Sequence, residues 1–190
     1  MAIDVKNIIA QALLELCEEK QLEKITIRDI LNQCGVSRQT FYNHFIDKDD
    51  LIHYIYDSRI VPDFHDQNMN ISFYDSLIET FENIKKYKIF MKQACMMGGQ
   101  NCLKDYIFSH CKDFDMKWHQ SLYGSSPMPD ALRFATEYHA NASSSMTLSW
   151  ILSDMPVSSS QIAKMIVDMR SLGMDVLFKD GEIKENPYLK

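Results

Sequence analysis

Apolar residues recur at alternating steps of three and one through Val5, Ile8, Ile9, Ala12, Leu13, Leu16 and Cys17. That spacing draws one stripe on an α-helix from Asp4 to about Lys20. After QLEKI, the segment TIRDILNQ predicts a short second helix with Thr26 as its cap, Asp29 closing a capping box, and Ile27, Ile30 and Leu31 on its buried side. Gly35 supplies the positive φ of a tight turn, and Ser37 caps a third helix reaching about Asn43. Asp47 and Asp50 open a fourth, which must stop before Pro62. The pattern resumes with Phe73, Leu77, Ile78, Phe81 and Ile84, the start of one long helix capped by Ser72 and Asp75 and running to Met97, where Gly98-Gly99 ends it. A shorter helix is expected from Asn101 to about Lys112, then two long ones, Asp130 to about Asp154 and Ser158 to Phe178, separated by Pro156. The polar tail KDGEIKENPYLK is expected to fray.

These elements predict an all-α protein in two parts. A compact helix-turn-helix head with its connecting fourth helix occupies residues 1–61, and a larger helical body occupies residues 62–190. Composition agrees, since 46% hydrophobic and 24% charged residues over 190 positions suit a chain with a sizeable buried core. No window nears the ~18 uninterrupted apolar residues of a membrane span, and the acidic N-terminus lacks a cleavage signal, so a cytoplasmic protein is expected. The five cysteines, Cys17, Cys34, Cys95, Cys102 and Cys111, contain no C-x-x-C pair and read as small buried hydrophobes in a reducing compartment.

Two short helices joined by a glycine turn form the unit that lays its second helix in the DNA major groove. Ile27, Ile30, Leu31, Val36 and Phe41 fall at its packing positions, which leaves Arg28, Ser37, Arg38, Gln39, Thr40, Tyr42 and Asn43 facing outward. Arg38 has the fork for guanine O6 and N7, Gln39 the amide for adenine N6 and N7, and Thr40 suits a thymine methyl or a phosphate. Tyr42, His44 and Lys48 suit phosphates, and Thr26 and Ser37 sit where helix amides face the anionic backbone. Charge gives weaker support: residues 20–48 hold Lys20, Lys24, Arg28, Arg38 and Lys48 against Glu23, Asp29 and Asp47, a local +2 in a chain of formal net charge −6. A solvated surface helix explains the same composition, and the residues alone leave the two readings level.

The stretch TIRDILNQCGVSRQTFYNHFIDKDDLI resembles the signature of the TetR family of transcriptional regulators: a helix opening with Thr, then GVS-x-x-TFY-x-HF, then DK-x-x-L. The likeness covers about the first 60 residues. It implies an all-helical homodimer that binds double-stranded DNA. The family's DNA face maps to Thr26 and Arg28 in the second helix and to Ser37, Arg38, Gln39, Thr40, Tyr42, Asn43 and His44 in the third. Lys48 matches its phosphate-contacting lysine. The pair Arg38-Gln39 departs from the family, many members of which carry a small residue, often Gly, before the Thr.

In the body, MKQACMMGGQNCLKDYI and LSWILSDMPVSSSQIAKMI resemble a subgroup that includes the dihydroxyacetone kinase activator (DhaS-like) type, with Gly99 to Leu103 the most particular likeness. The resemblance allows either a protein partner or a small molecule as effector. Aromatic and methionine residues suit an apolar pocket, and Met97, Tyr106, Trp118 and Tyr138 are the candidate effector contacts, although plain core packing explains any one of them more simply. The small residues from Ala140 to Trp150 and a stripe of Ile162, Met165, Ile166, Met169 and Leu172 make the last two long helices the expected homodimer surface. Effector binding is then expected to move the fourth helix as a lever and change the separation of the two heads.

No phosphate-binding glycine loop, dinucleotide fingerprint, H-E-x-x-H or G-x-S-x-G occurs, so no enzyme and no cofactor are expected. His53, Asp57 and His65 are the best metal ligands the sequence offers, and exposed polar positions on a helix explain them better; no metal is expected.

Overall fold

Asp4 accepts the N–H of Asn7 at 3.1 Å and so opens α1 (Val5–Glu19), whose inner side buries Ile9, Ala10, Leu13 and Cys17. The structure is a computed structural model and describes residues 4–62, 73–123 and 126–171. A 3-10 turn at Leu22–Lys24 leads into α2 (Ile27–Cys34), which starts with the expected capping box: Asp29 N–H donates to Thr26 Oγ1 at 3.2 Å, and Thr26 N–H donates back to Asp29 Oδ2 at 2.8 Å. Gly35 stands at φ 69°, and its N–H caps Leu31 O at 2.9 Å. Any residue with a Cβ would be strained in that left-handed position.

Ser37 caps α3 (Arg38–Tyr42), and Asp47 caps α4 (Lys48–Ile55) by accepting the N–H of Asp50 at 2.8 Å. Helix α4 does not run evenly to Pro62. Its last stretch, Tyr56–Ile60, widens into a π-helical turn, closed by Val61 N–H on Tyr56 O at 3.1 Å. Such turns are rare and often accompany function.

The body comprises α5 (Phe73–Lys86), α6 (Lys88–Met96), α7 (Leu103–Tyr123), α8 (Asp130–Leu152) and α9 (Ser159–Arg170). Two expectations need correction. The single helix to Met97 is two, broken at Tyr87 with φ −106° and ψ 32°, because the halves serve different neighbours: α5 packs on α9 and the π turn, whereas α6 packs on α8, α1 and the 3-10 turn. The helix expected to end near Lys112 continues to Tyr123, with Asp115 and His119 buried on its inner side. Helix α9 is described to Arg170; its expected continuation to Phe178, like the Ser72 cap, lies outside the described residues.

Helices α7 and α8 lie along each other, and α4 packs on α7. One apolar core runs from Ile9 and Leu13 through Ile30, Phe41, Leu51 and Ile55 to Phe81, Met91, Trp150 and Ala163. Head and body thus share buried contacts, through α6 on α1 and α7 on α4.

Candidate nucleic-acid interface and internal cavity

Helix α3 has five residues, too few to be stable alone, so its position depends on what it packs against. Phe41 is fully buried and Phe45 nearly so, with ring centroids 5.6 Å apart, and Phe45 meets Tyr54 of α4 edge to face at 5.4 Å. Ser37 Oγ accepts Thr40 N–H at 3.0 Å and lies 2.8 Å from Thr40 Oγ1, which fixes the first turn.

The opposite face is exposed and internally braced. Arg38 Nη2 donates to Tyr42 Oη at 3.4 Å with its guanidinium 5.4 Å from that ring's centroid, and Gln39 Nε2 donates to Asn43 Oδ1 at 3.1 Å. Ser37, Arg38, Gln39, Tyr42 and Asn43 are exposed on this surface, with Thr40 and His44 half-buried at its edge. Thr26 and Arg28 are exposed at the start of α2. Lys20 binds Asp29 at 2.8 Å; that ammonium first, then the Thr26 amide and hydroxyl, hold the Asp29 carboxyl well below the usual range.

Lys48 has another task than the expected phosphate contact. Its Nζ donates to the carbonyls of Leu22 at 2.9 Å, Ile25 at 3.0 Å and Glu23 at 3.4 Å, which occupies all three donors, and burial lowers its pKa. The ammonium thus ties the start of α4 to the turn preceding α2, and a phosphate would have to displace one of those bonds, the long one to Glu23 most easily. Lys48→Met should therefore cost about 1–2 kcal/mol of folding stability, read from the urea midpoint. No change in that midpoint would mean that the ammonium does not hold the turn.

Inside the body, a cavity of about 100 Å³ opens between α5, α7, α8, α9 and the π turn. Its wall is mostly apolar, including Tyr56, Val61, Phe73, Leu77, Phe114 and Ile166, with Ser76, Thr80, His110 and Ser143 as polar handles. At one side Arg170 Nη1 meets both carboxylate oxygens of buried Asp115, at 3.1 and 3.0 Å, and the guanidinium lies 4.6 Å from the Phe73 ring centroid. Thr136 Oγ1 donates to Leu132 O at 2.7 Å, so it accepts from His119 Nδ1 at 2.9 Å. Arg170 Nη2 can only donate, so His119 Nε2 accepts it at 3.3 Å, which corresponds to the Nδ1–H tautomer of His119. Burial, then the Arg170 charge, holds the nearby His139 below its usual pKa.

Of the residues expected to meet an effector, Met97, Tyr106 and Tyr138 do not line this cavity. Met97 borders a separate recess of about 50 Å³ beside Asp49, Gly98 and Leu103. Tyr106 stacks on His53 at 4.0 Å and donates to Asp57 at 2.6 Å, and burial first, then that bond, raise its phenol pKa. Tyr138 is 63% exposed on the outer face of α8, because the inner positions of that helix fall at Thr136, Ala140 and Ser144. The Trp118 side chain lies outside the described residues. The sequence reading missed Asp115 and His119, although two polar residues one turn apart in line with Ile107 and Cys111 were a signal available in it.

His53 and Asp57, considered as metal ligands, are engaged elsewhere: His53 Nε2 donates to Asn101 O at 2.9 Å, and Asp57 accepts Tyr106. His65 lies outside the described residues. Burial pushes the thiols of Cys17 and Cys95 up to about 12 and that of Cys111 to about 11, which leaves them protonated at neutral pH. Among the described residues no helix is long and apolar enough to cross a membrane.

A short recognition helix held by Phe41 and Phe45 in front of an all-helical body defines a helix-turn-helix transcriptional regulator, and the chain belongs to the TetR family. The family described as "Bacterial regulatory proteins, tetR family" matches residues 9–55, and "Transcriptional regulator C-terminal region" matches residues 72–171. The protein is accordingly a regulator of a DNA-binding family and not an enzyme. Among curated proteins it is similar to the HTH-type dhaKLM operon transcriptional activator DhaS of Lactococcus lactis subsp. lactis (strain IL1403), 23% identical over 127 residues, 62% of this chain and 68% of that protein. Among solved structures it is similar to a dihydroxyacetone kinase operon activator DhaS, with TM-score 0.65 and 19% identity over 92% of this chain and 98% of that one. A putative TetR-family regulator from Syntrophomonas wolfei str. Goettingen follows at TM-score 0.50 and 18% identity, over 92% and 97%.

Proposed function

We propose that this protein binds a palindromic operator as a homodimer through α3 of each subunit, and that an effector bound to the body modulates its affinity. Residues 1–61 act as the DNA-binding unit and residues 62–190 as the effector-binding and dimerisation unit. The observation that carries the reading is the two-sidedness of α3, apolar and anchored behind, polar and braced in front. Thr26, Arg28, Ser37, Thr40, Tyr42, Asn43 and His44 contact or position the backbone, Lys48 supports the turn beside it, and Arg38 and Gln39 read bases. The dimer forms through the outer faces of α8 and α9, where Phe134 is 74% exposed, and Tyr138, Met146, Met165 and Met169 are also exposed. Ile162 and Ile166, expected in the same stripe, turn inward instead, so the two methionines carry the outer face of α9. A protein acting on the chromosome works in the cytoplasm, and the likeness to DhaS favours activation over repression.

The effector site is the apolar cavity. Its volume is below the ~150 Å³ that holds benzene, which restricts a guest to a few non-hydrogen atoms unless the walls move. That small size also favours a second reading, in which a protein partner on the body's surface is the effector.

Arg38→Ala tests the reading head. Against the operator enriched from a random duplex pool, the variant should bind about 5- to 100-fold more weakly and tolerate substitution at one position of each half-site, with an unchanged melting temperature. Unaltered affinity and base preference would remove Arg38 from the interface.

A further inference from the structure

We infer that Gln93 fixes the angle at which the DNA-reading head leaves the body, and is thereby a determinant of operator half-site spacing. The inference rests on the dimeric, palindrome-binding reading above.

Gln93 is half-buried on α6, and its amide joins two backbone groups on opposite sides of one bend. Its Nε2 donates to Cys17 O at 3.1 Å, and its Oε1 accepts the N–H of Leu22. Both backbone groups need such a partner. Cys17 lies in the last turn of α1, where carbonyls have no successor in the helix. Leu22 opens the 3-10 turn, whose own bonds run from Lys24 N–H to Gln21 O and from Ile25 N–H to Leu22 O, and its side chain is fully buried. One side-chain amide thus does for this bend what a neighbouring backbone would do.

The carbonyls of the same bend go to Lys48 at the start of α4. The bend is therefore the point where the end of α1, the approach to α2, the start of α4 and the body's α6 are tied together. On its other side α6 packs against α8, whose outer face carries Phe134, Tyr138 and Met146. The path from the proposed dimer face to the recognition helix runs α8, α6, Gln93, bend, α2, α3. Apolar packing between α1 and α6 tolerates sliding and rotation. An amide that donates to one group and accepts from another has one satisfying geometry, so it pins the head's rotation where packing alone would not.

The test measures binding of the full-length protein to four duplexes: its selected palindrome, the same palindrome with one or two base pairs inserted at the centre, and a single half-site. Each inserted pair shifts and rotates one half-site relative to the other, so a dimer with fixed heads should discriminate among them by about thirtyfold, and Gln93→Met should narrow this to about threefold. Half-site affinity of the variant should stay within about twofold of wild type, since the reading face is untouched. A structural role alone would lower the melting temperature and leave the spacing discrimination intact; that result overturns the inference. If Gln93→Met does not fold at the assay temperature, Gln93→Glu decides, because it keeps the acceptor for Leu22 and loses the donor for Cys17. Discrimination between those of wild type and of heads left free supports the role, and discrimination equal to wild type refutes it. If wild-type protein shows no preferred spacing at all, the palindrome reading fails as well. A wild-type preference that survives in both variants removes only Gln93.

Discussion

Replacing Phe41 with Ala removes specific DNA binding while the body stays folded. Phe41 is fully buried, with its ring centroid 5.3 Å from that of Tyr42 and 5.6 Å from that of Phe45. A helix of five residues has almost no stability of its own, so this aromatic contact is what orients Arg38, Gln39 and Asn43. The expected loss is about 3–5 kcal/mol, which lowers the melting temperature by roughly 6–20 °C for a chain of this size. Operator affinity should fall by more than about a hundredfold, because correctly placed α3 becomes a minority state in each head. Circular dichroism and fluorescence anisotropy on the same sample separate the two effects. Lower stability with full operator affinity would mean that DNA is read by another surface.

The second large effect belongs to the cavity. Arg170→Leu strands Asp115, whose side chain is only 10% exposed in the pair, against apolar surroundings. Breaking one side of such a buried pair costs about 3–5 kcal/mol, whereas replacing both sides by apolar groups is often nearly neutral. The double variant Asp115→Leu with Arg170→Leu should therefore recover most of what Arg170→Leu loses, as read from denaturant midpoints. The exposed pair Lys164–Asp168 on the same helix provides the contrast, since it should contribute little. If the double variant is as unstable as the single, the loss comes from the Arg170 contact with Phe73 and not from an unpaired charge.

The sequence was most legible where structure is decided by near neighbours. The α1 stripe, the Thr26–Asp29 box, the Gly35 turn and the Ser37 cap all depend on residues within four positions of one another, and all stand where the pattern put them. The helices, caps and turn of the head are built from such local signals. The break at Tyr87 carries no Gly or Pro; it arises because α5 and α6 answer to different partners. The inward placement of Asp115 and His119 was not legible for a related reason. A hydrophobic pattern assigns polar residues to solvent, whereas partners distant in the chain, Arg170 for both and Thr136 for His119, make their burial tolerable.

Lys48 shows the limit of reading by resemblance. The motif placed it correctly at the head of α4, but its ammonium is occupied by three carbonyls of the preceding bend. The effector candidates Met97, Tyr106 and Tyr138 lie away from the cavity for a different reason. Aromatic and methionine residues are common both in cores and on interfaces, so chemistry alone did not separate the cavity wall from the outer face of α8, where Tyr138 lies.

The central claim is that two copies of this chain read two major grooves through α3. Hydroxyl-radical footprinting of the selected duplex, with the stoichiometry of the same complex from native mass spectrometry, tests it most directly. The account predicts two protein chains per duplex and two protected patches related by a dyad, centred about one helical turn apart or slightly more, both lost in Phe41→Ala. One chain per duplex, or uniform protection that follows no sequence, would contradict it.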